Sequence, residues 1–460
     1  MKSLQFSLPK SLNLLIYSLP ATFILGNFFI NLLIFFVSIL GIVYYKDELF
    51  SFKKNNPLIL IILFFVLIVF STSVETFKNT ESEYLLKSVL FFRYLIFVLI
   101  LRCMILKGDL NLQRTLFSCL LFSSFVAADV IFQYFIGVDI LGNKRLSGFA
   151  SGLFGEEAIA GGYIQKFAII GFFSSTWLSN KKGSKFFSIS FSLLIICFLG
   201  TLLSGNRMPT LMFAFFFFLL ALFFLLKKFN IQTTAFVFLV LLSFVLIVSG
   251  SEKIKSRYYS FYVGIPKPSQ ITAELKKEYL EFKKYENTGI KFWHTEVFKK
   301  NEDNIKLLGP YTGHTQIYIT SIDTFLDNPL MGRGIKSFRH TCLQKMHLPN
   351  RMCENHSHHF YLEILNDTGI IGFVVIFAAI ILLIIKNFNK YYKKNTKVNE
   401  IFNLTFYAVF FSLIIEFFPL RSQGSLFSVW NAAYIFFILG IFCGLYDLKP
   451  KKFFKNRLNF

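Results

Sequence analysis

Residues 57–73 read PLILIILFFVLIVFSTS, a stretch with no charged side chain. A run of this length and composition can cross the hydrocarbon core of a bilayer as a helix. Similar runs recur along the chain, and they are continuous rather than alternating, which excludes a membrane barrel. We place spans near 11–25, 27–45, 57–73, 86–105, 115–137, 160–178, 186–204, 208–226, 231–250, 368–387, 401–419 and 426–446.

The composition supports the same fold class. Of the 460 residues 54% are hydrophobic, 63 are Phe, and only 16% are charged, fewer than in a soluble protein of this size. The sequence therefore predicts an all-α, polytopic membrane protein of about 12 transmembrane helices. A large, partly helical loop separates spans 9 and 10, with helices expected over 271–308 and 314–327.

The distribution of Lys and Arg predicts the orientation. With the N-terminus inside, every short segment assigned to the cytoplasm is basic, including the tail from Lys449 to Arg457, as the positive-inside rule requires. The net charge of +22 is then explained by the membrane topology and does not indicate nucleic-acid binding. We expect a multi-pass protein of the bacterial inner membrane with both termini cytoplasmic. Its parts would be a bundle of spans 1–9 (1–250), a periplasmic loop (251–366), and spans 10–12 with the tail (367–460).

All seven histidines fall in the predicted loop. Three of them, His356, His358 and His359, lie within four residues of one another, directly before an apolar run. Histidine is the side chain best suited to proton transfer near neutral pH, so this segment is a candidate for a general base. Metal binding is the other interpretation, but no pair of histidines at helical spacing accompanies the cluster.

Two of the six cysteines, Cys342 and Cys353, also lie in the loop, whereas the others are in or beside spans. An oxidising periplasm permits a disulfide between them. Such a bond would stabilise the segment that leads to His358, by about 3 kcal/mol in the chain-entropy model.

Polar residues interrupt several spans or sit at their ends. Such residues usually face the bundle interior or water. In the predicted topology most of them lie in the outer half of the membrane and suggest a cationic recess that opens outward, although for Lys166 and Glu416 a structural ion pair or an interfacial position is the better interpretation. Arginine suits phosphate or pyrophosphate because its planar fork forms paired hydrogen bonds. The residues are Arg93, Asp129, Gln133, Lys166, Arg207, Glu416 and Arg421, with the Gly-rich segment from Arg145 to Tyr163.

Short motifs in a fixed order make the sequence resemble the O-antigen ligase and O-antigen polymerase superfamily. The strongest is His358-His359, nine residues, then Gly369-Ile370-Ile371-Gly372, which departs from the ligase pattern at its second position. The others are Asp327-Asn328-Pro329-Leu330-Met331-Gly332-Arg333-Gly334, Ser204-Gly205-Asn206-Arg207, Arg145-Leu146-Ser147-Gly148 and Leu420-Arg421-Ser422-Gln423-Gly424.

The resemblance implies a metal-independent glycosyltransferase that needs no cofactor. Its donor would be a glycan on undecaprenyl pyrophosphate, and its acceptor a hydroxyl of lipid A–core (ligase) or of another lipid-linked glycan (polymerase). By position, His358 would be the base and Arg207 would bind the pyrophosphate. His314 stands where the ligases have a second arginine, so Arg333, Arg339 or Arg421 could serve there instead. Further expected substrate contacts are Arg145 and Arg93.

Two other classes stay open from the sequence. A transporter or flippase for a lipid-linked glycan would also have about twelve spans with polar residues inside the membrane, but transporters often show internal repeats, and no halves of similar pattern are visible. A non-enzymatic sensor or assembly protein would use the loop to bind a partner. The enzymatic hypothesis further requires that His358 and Arg207 lie on the same side of the membrane.

Overall fold

The computed structural model describes residues 2–53, 56–79, 82–146, 148–182, 184–226, 313–348, 351–393 and 400–448. The predicted ninth span, the helix expected over 271–308, His294 and the basic tail lie outside these ranges. The division at residues 250 and 366 therefore stays a prediction.

The described residues are helical, with isolated β-bridges and no strand among them. Eight of the described helices contain segments long and apolar enough to cross a membrane, and Phe191–Leu203 and Ile401–Glu416 are shorter apolar helices. The predicted all-α membrane fold is thereby confirmed, although the full number of twelve spans is not tested. The helices are α1 (Lys2–Leu25), α2 (Asn27–Tyr45), α3 (Leu58–Asn79), α4 (Ser82–Lys107), α5 (Leu112–Ile136), α6 (Ala160–Lys182), α7 (Ser184–Leu203), α8 (Arg207–Leu226), α9 (Gly313–Leu326), α10 (Phe338–Thr341), α11 (Phe360–Phe388), α12 (Glu400–Glu416) and α13 (Val429–Asp447).

Small residues let the helices pack closely. A Cβ atom on Gly171 of α6 would lie 2.4 Å from the backbone nitrogen of Leu120 in α5, and one on Gly200 of α7 would lie 2.7 Å from the Cβ of Ala127. Because lipid tails are as apolar as the side chains, such close backbone approach is a main source of helix association in a bilayer. The abundant Phe residues fill the remaining space as tilted and edge-to-face pairs, such as Phe167 with Tyr434.

Helix α11 is broken near its beginning. Gly369 has φ 64° and ψ −171°, a conformation open almost only to glycine. The break removes regular helical hydrogen bonds within a candidate membrane span, and unpaired backbone groups are costly in hydrocarbon. The protein therefore needs other partners for the backbone groups on both sides of Gly369.

The segment 329–334 supplies those partners. The amide nitrogens of Ile370 and Ile371 donate to the carbonyls of Pro329 (2.8 Å) and Leu330 (3.3 Å), and those of Arg333 and Gly334 donate to the carbonyls of residues 366 (2.8 Å) and 367 (2.9 Å). A Cβ on residue 332 would meet the backbone at positions 367–369 within 2.6 Å. The two motifs, which looked separate in the sequence, are thus one packed unit.

Buried Asp367 fixes the other side of this unit. Its carboxylate accepts hydrogen bonds from the backbone amides of Lys336 (2.7 Å) and Ser337 (3.3 Å) and from the Ser337 hydroxyl (3.1 Å). Helix α3 holds the same segment from behind, because the Thr72 hydroxyl accepts from the amide of Ile335 at 3.0 Å. Segment 329–337 therefore packs between α3 and α11 and is hydrogen-bonded to both helices.

A disulfide joins Cys342 and Cys353, with Cα atoms 5.2 Å apart. It links the segment after α10 to the stretch that precedes α11. Arg351 pairs with Asp323 of α9, and the amide of Met352 donates to Thr320 of the same helix at 3.0 Å. The histidine-containing segment is thus attached to both α9 and α10.

We call the end of the bundle where α6, α8 and α11 begin the motif end. Several basic residues of segments predicted to be cytoplasmic lie at the opposite end: Arg102 pairs with Asp447, Lys107 with Glu48, and Lys390 binds backbone carbonyls at the end of α13. Which end faces the cytoplasm stays a prediction.

Candidate functional site

Three histidines, His314, His356 and His358, form a cluster at the motif end, and we call them the histidine cluster. The ring centroids of His314 and His358 are 4.9 Å apart, and those of His356 and His358 are 4.1 Å apart. His314 comes from the first turn of α9 and the other two from the segment before α11. The structure thus brings together two residues that the sequence analysis had linked only by resemblance.

Burial keeps the histidine cluster neutral. It lowers the pKa of His358 to about 4, and the neighbouring His356 and His314 act in the same direction. The pKa of His356 is also lowered to about 4 by burial and by the positive charge of Arg339, and that of His314 is lowered by burial. A neutral imidazole has a ring nitrogen that can accept a proton, so His358 is in the correct protonation state for a base at neutral pH.

The backbone at His358 is strained. Its φ is 52°, one of two positive φ values at described residues other than glycine. Such conformations persist only where the surroundings enforce them, and they are common at functional sites. Here the carbonyl of His358 accepts a hydrogen bond of 2.9 Å from the amide of Gln423, so the turn between α12 and α13 holds the backbone of this residue in place.

His359, the position that departs from the ligase pattern, has a different environment. Its Nε2 lies 2.7 Å from the carbonyl of Pro419, and its ring lies edge-on to that of Tyr318 at 5.5 Å. His359 therefore ties α9 and the α12–α13 turn to the start of α11, which is a positioning role.

Arg207 is the first residue of α8 and follows a tightly bonded turn. The side chain of Asn206 accepts a hydrogen bond from the amide of Gly161 (2.9 Å) and donates to the carbonyl of Ala158 (2.7 Å). A Cβ on Gly161 would lie only 2.4 Å from the Ser204 hydroxyl. The Ser-Gly-Asn-Arg motif thus docks the beginning of α8 onto the beginning of α6.

A short series of contacts connects this turn to the histidine cluster. Gly161, which binds Asn206, lies one helical turn before Gln165 in α6. The guanidinium of Arg421 donates to the side-chain oxygen of Gln165 at 3.0 Å, and two residues later Gln423 binds the carbonyl of His358. His358 and the turn that carries Arg207 therefore lie at the same end of the bundle.

Arg421 is part of a buried ion group rather than an open recess. It is 3% exposed, and it donates to Glu416 at 2.9 Å and to the carbonyl of Ile415 at 3.0 Å. The other oxygen of Glu416 pairs with Lys166. Lys166 and Glu416 thus form a structural ion pair, one of the two interpretations considered for these residues, and Arg421 joins it.

The remaining predicted contacts are dispersed. Arg145 lies over the ring of Tyr134, with 4.3 Å from its guanidinium carbon to the ring centroid, and Arg93 lies in the same way over Tyr94 at 4.6 Å. Arg333 is 3.2 Å from Asp327 and 3.6 Å from Glu75. Each of these arginines contacts its own local partner, and the outward-facing recess that they were expected to share stays a prediction.

Asp129 and Gln133, the other polar residues noted within a span, hold the loop after α5. Asp129 accepts from the amide of Ile140 at 3.0 Å, and Gln133 accepts from the amide of Gly152 at 2.9 Å and donates to the carbonyl of Asn143 at 3.1 Å. These two side chains have a structural role.

A polar cavity of about 330 Å³ lies at the motif end beside α10. Of the predicted substrate contacts only Arg333 lines it. Its walls come from the end of α3, the beginning of α4 and the segment 333–344. The lining residues are Thr72, Glu75, Thr76, Tyr84, Arg333, Ile335, Ser337, His340, Thr341 and Gln344.

No metal site accompanies the histidine cluster among the residues that the structure describes, because none of their His, Cys, Asp and Glu side chains form a group of three or more suited to holding a metal ion.

Residues 191–377 match the family model described as O-antigen ligase. This region is therefore similar to the O-antigen ligase family. It begins within α7 and ends within α11, so it contains the Ser-Gly-Asn-Arg turn, the histidine cluster and the helix break. The resemblance seen in the sequence motifs is thereby confirmed. A comparison with curated proteins finds no match.

The matched region contains two further cationic residues, Lys336 and Arg339, beside the histidines and the motif arginines. Burial and the charge of Arg339 lower the pKa of Lys336, which has the second positive φ, 60°. Arg339 has a buried Nε with no hydrogen-bond partner among the described residues. Their position between Gly334 and Cys342, directly after a recognised motif, was the available signal.

Proposed function

We propose that this protein transfers a glycan from an undecaprenyl-pyrophosphate donor to an acceptor hydroxyl at the outer face of the bacterial inner membrane. The observation that carries the proposal is the neutral histidine cluster, held in a strained backbone conformation within the region similar to the O-antigen ligase family, at the bundle end that also bears the Arg207 turn. The lipid tail of the donor would lie in the bilayer, with the pyrophosphate and glycan at the motif end.

In the proposed reaction His358 is the base. Its free ring nitrogen takes the proton from the acceptor hydroxyl as that oxygen bonds to the anomeric carbon of the donor glycan. The bond from the anomeric carbon to the pyrophosphate oxygen breaks, and the lipid pyrophosphate leaves with the electron pair. A general base contributes roughly 10²–10⁴-fold to such a step.

The leaving pyrophosphate needs a second cation beside Arg207, one that is not already paired with a carboxylate. Arg421 is neutralised by Glu416, and Arg333 by Glu75 and Asp327. Arg339 is the better second contact beside Arg207, because its Nε has no partner in the described part of the chain and its charge acts on His356. An arriving pyrophosphate would also raise the pKa of His358, which favours proton uptake during the reaction.

The test is His358→Ala, with His347→Ala as the matched control because His347 is an exposed histidine of the same segment. We expect His358→Ala to lower glycan transfer by about 10² or more while the protein level in the membrane is unchanged. Transfer would be measured with purified protein, lipid-linked donor and acceptor. Normal transfer by His358→Ala would refute the assignment.

Ligation and polymerisation differ only in the acceptor, so a deletion strain distinguishes them. Loss of all capped lipopolysaccharide on a gel indicates ligation to lipid A–core. Caps of a single repeat without a ladder indicate polymerisation. Reconstituted protein that moves the lipid-linked glycan across a bilayer without forming a bond would instead establish a flippase.

A further inference from the structure

The polar cavity beside α10 differs in charge from the surroundings of the histidine cluster. Arg333 reaches into it between Glu75 (3.6 Å) and Asp327 (3.2 Å), and Asp327 also binds Lys345 at 2.7 Å. Of these four residues Arg333 and Glu75 line the cavity, so one cation is balanced by one carboxylate. A phosphate in this cavity would meet a carboxylate as well as a guanidinium, so the cavity disfavours an anion.

The lining instead has the composition of a site for a polar, uncharged molecule. Thr76 and Gln344 offer a hydroxyl and an amide, and Glu75 offers carboxylate oxygens. Tyr84, whose hydroxyl contacts the ring of His340, provides an aromatic wall. Hydroxyl-rich molecules such as sugars both donate and accept hydrogen bonds and pack their C–H faces against rings. The volume of about 330 Å³ is within the range of roughly 300–1,000 Å³ that is usual for small-ligand sites.

The walls of the cavity are held rigidly. His340 and Gln344 lie on either side of Cys342, whose disulfide fixes this segment to the stretch before α11. The opposite wall is the end of α3, which Thr72 attaches to the amide of Ile335 at 3.0 Å. A preorganised cavity loses little conformational entropy when it binds a ligand.

The cavity is connected to the candidate reaction centre through α10 and the disulfide. His340 and Thr341 line the cavity, and the next residue, Cys342, is bonded to Cys353, three residues before His356. A chain of sugars whose reacting end lies at His358 could therefore extend past this short helix into the cavity.

We infer that the cavity formed by the end of α3, Tyr84 and residues 333–344 is a saccharide subsite, which binds sugar units of a glycan away from the bond that is transferred. This inference rests on the proposed function for the identity of its ligand. The cationic surroundings of the histidine cluster would bind the pyrophosphate, and the charge-balanced cavity would bind the sugars.

The experiment measures binding of two probes to the purified full-length protein in detergent. The first is the free glycan released by mild acid from the host's own lipid-linked donor, and the second is inorganic pyrophosphate. Gln344→Trp fills the cavity from an exposed rim position, His340→Ala removes part of the wall, and His347→Ala is the control.

We expect Gln344→Trp and His340→Ala to weaken glycan binding about tenfold or more, because each variant loses one or two hydrogen bonds to the sugar and Gln344→Trp also fills the cavity. Pyrophosphate binding should be unchanged. The control should bind both probes as the wild type does. Unchanged glycan binding in both cavity variants would overturn the inference. Loss of pyrophosphate binding in the cavity variants would overturn it as well, because the cavity would then be an anion site.

The outcome can be separated from that of the proposed function. His358→Ala should bind the free glycan normally and yet fail to transfer it. If His358→Ala still transfers glycan, the proposed mechanism fails while the binding data on the cavity variants stand by themselves.

Discussion

The substitution Gly369→Ala should destabilise the protein strongly although it adds a single methyl group. At φ 64° and ψ −171° a side chain costs about 1–3 kcal/mol of backbone strain. The new Cβ would also lie 2.2 Å from the carbonyl oxygen of Leu330 and 2.3 Å from its carbonyl carbon. These are backbone atoms, so segment 329–334 would have to move away from α11.

That movement would break two hydrogen bonds, from the amides of Ile370 and Ile371 to the carbonyls of Pro329 and Leu330. Each is worth about 0.5–1.5 kcal/mol. Together with the strain, we expect a loss of about 2–6 kcal/mol in the free energy of unfolding.

The assay is thermal unfolding of the purified protein in detergent, followed by intrinsic fluorescence. Gly162→Ala is the matched control, because Gly162 lies in regular α6 and the nearest atom to its added Cβ, Cγ of Pro209, is 4.0 Å away. We expect the control to unfold at or slightly above the wild-type temperature, since Ala is the better helix former. If both variants unfold at the wild-type temperature, segment 329–334 and the broken helix α11 do not form the packed unit described above.

Three further predictions concern the ion group, the disulfide and pH. Glu416→Gln leaves Lys166 buried without its counter-charge and should lower the free energy of unfolding by about 3–5 kcal/mol, measured by thermal unfolding. The control Glu83→Gln changes an exposed ion pair and should leave the unfolding temperature unchanged. Equal effects of the two variants would contradict the role of the buried ion group. Cys342→Ser should lower stability by about 2–4 kcal/mol, and a reductant should lower the unfolding temperature of the wild type but not of the variant. Burial lowers the pKa of His356 and His358 to about 4, whereas histidine in the unfolded chain titrates near about 6.5. The free energy of unfolding should therefore fall as the pH drops from about 6.5 toward 4. If unfolding measured at each pH shows a constant stability over this interval, the cluster is not buried.

Hydropathy located helices well where their ends coincide with changes in polarity. The span predicted at 27–45 is α2 at Asn27–Tyr45. In contrast, the span predicted to begin at 368 begins at Phe360. The added part contains Glu363 and Asn366, which are buried and bonded to distant residues: Glu363 accepts from the amide of Leu426 at 2.6 Å, and Asn366 donates to Ser321. Polar residues with such partners look like loop in a sequence.

The candidate site could be predicted only in part, because several of its contacts join residues that are far apart in the chain. Neighbouring residues such as His356 and His358 could be grouped from the sequence, and resemblance added His314. The contact of Arg421 with Gln165 in α6 could not be foreseen, because the two residues lie 256 positions apart in the chain. The charge-balanced cavity likewise depends on Glu75 and Arg333, which are distant in the chain and meet only when α3 packs against the segment after α9.

The break in α11 has a consequence for attempts to build a smaller version of this protein. The segment 329–334 completes the backbone hydrogen bonding of a helix that lies after it in the chain. Deleting everything between α8 and α11 to obtain a minimal scaffold would leave amide and carbonyl groups unpaired, at several kcal/mol each in hydrocarbon. A shortened variant should therefore retain residues 329–337, joined so that they can still reach Gly369.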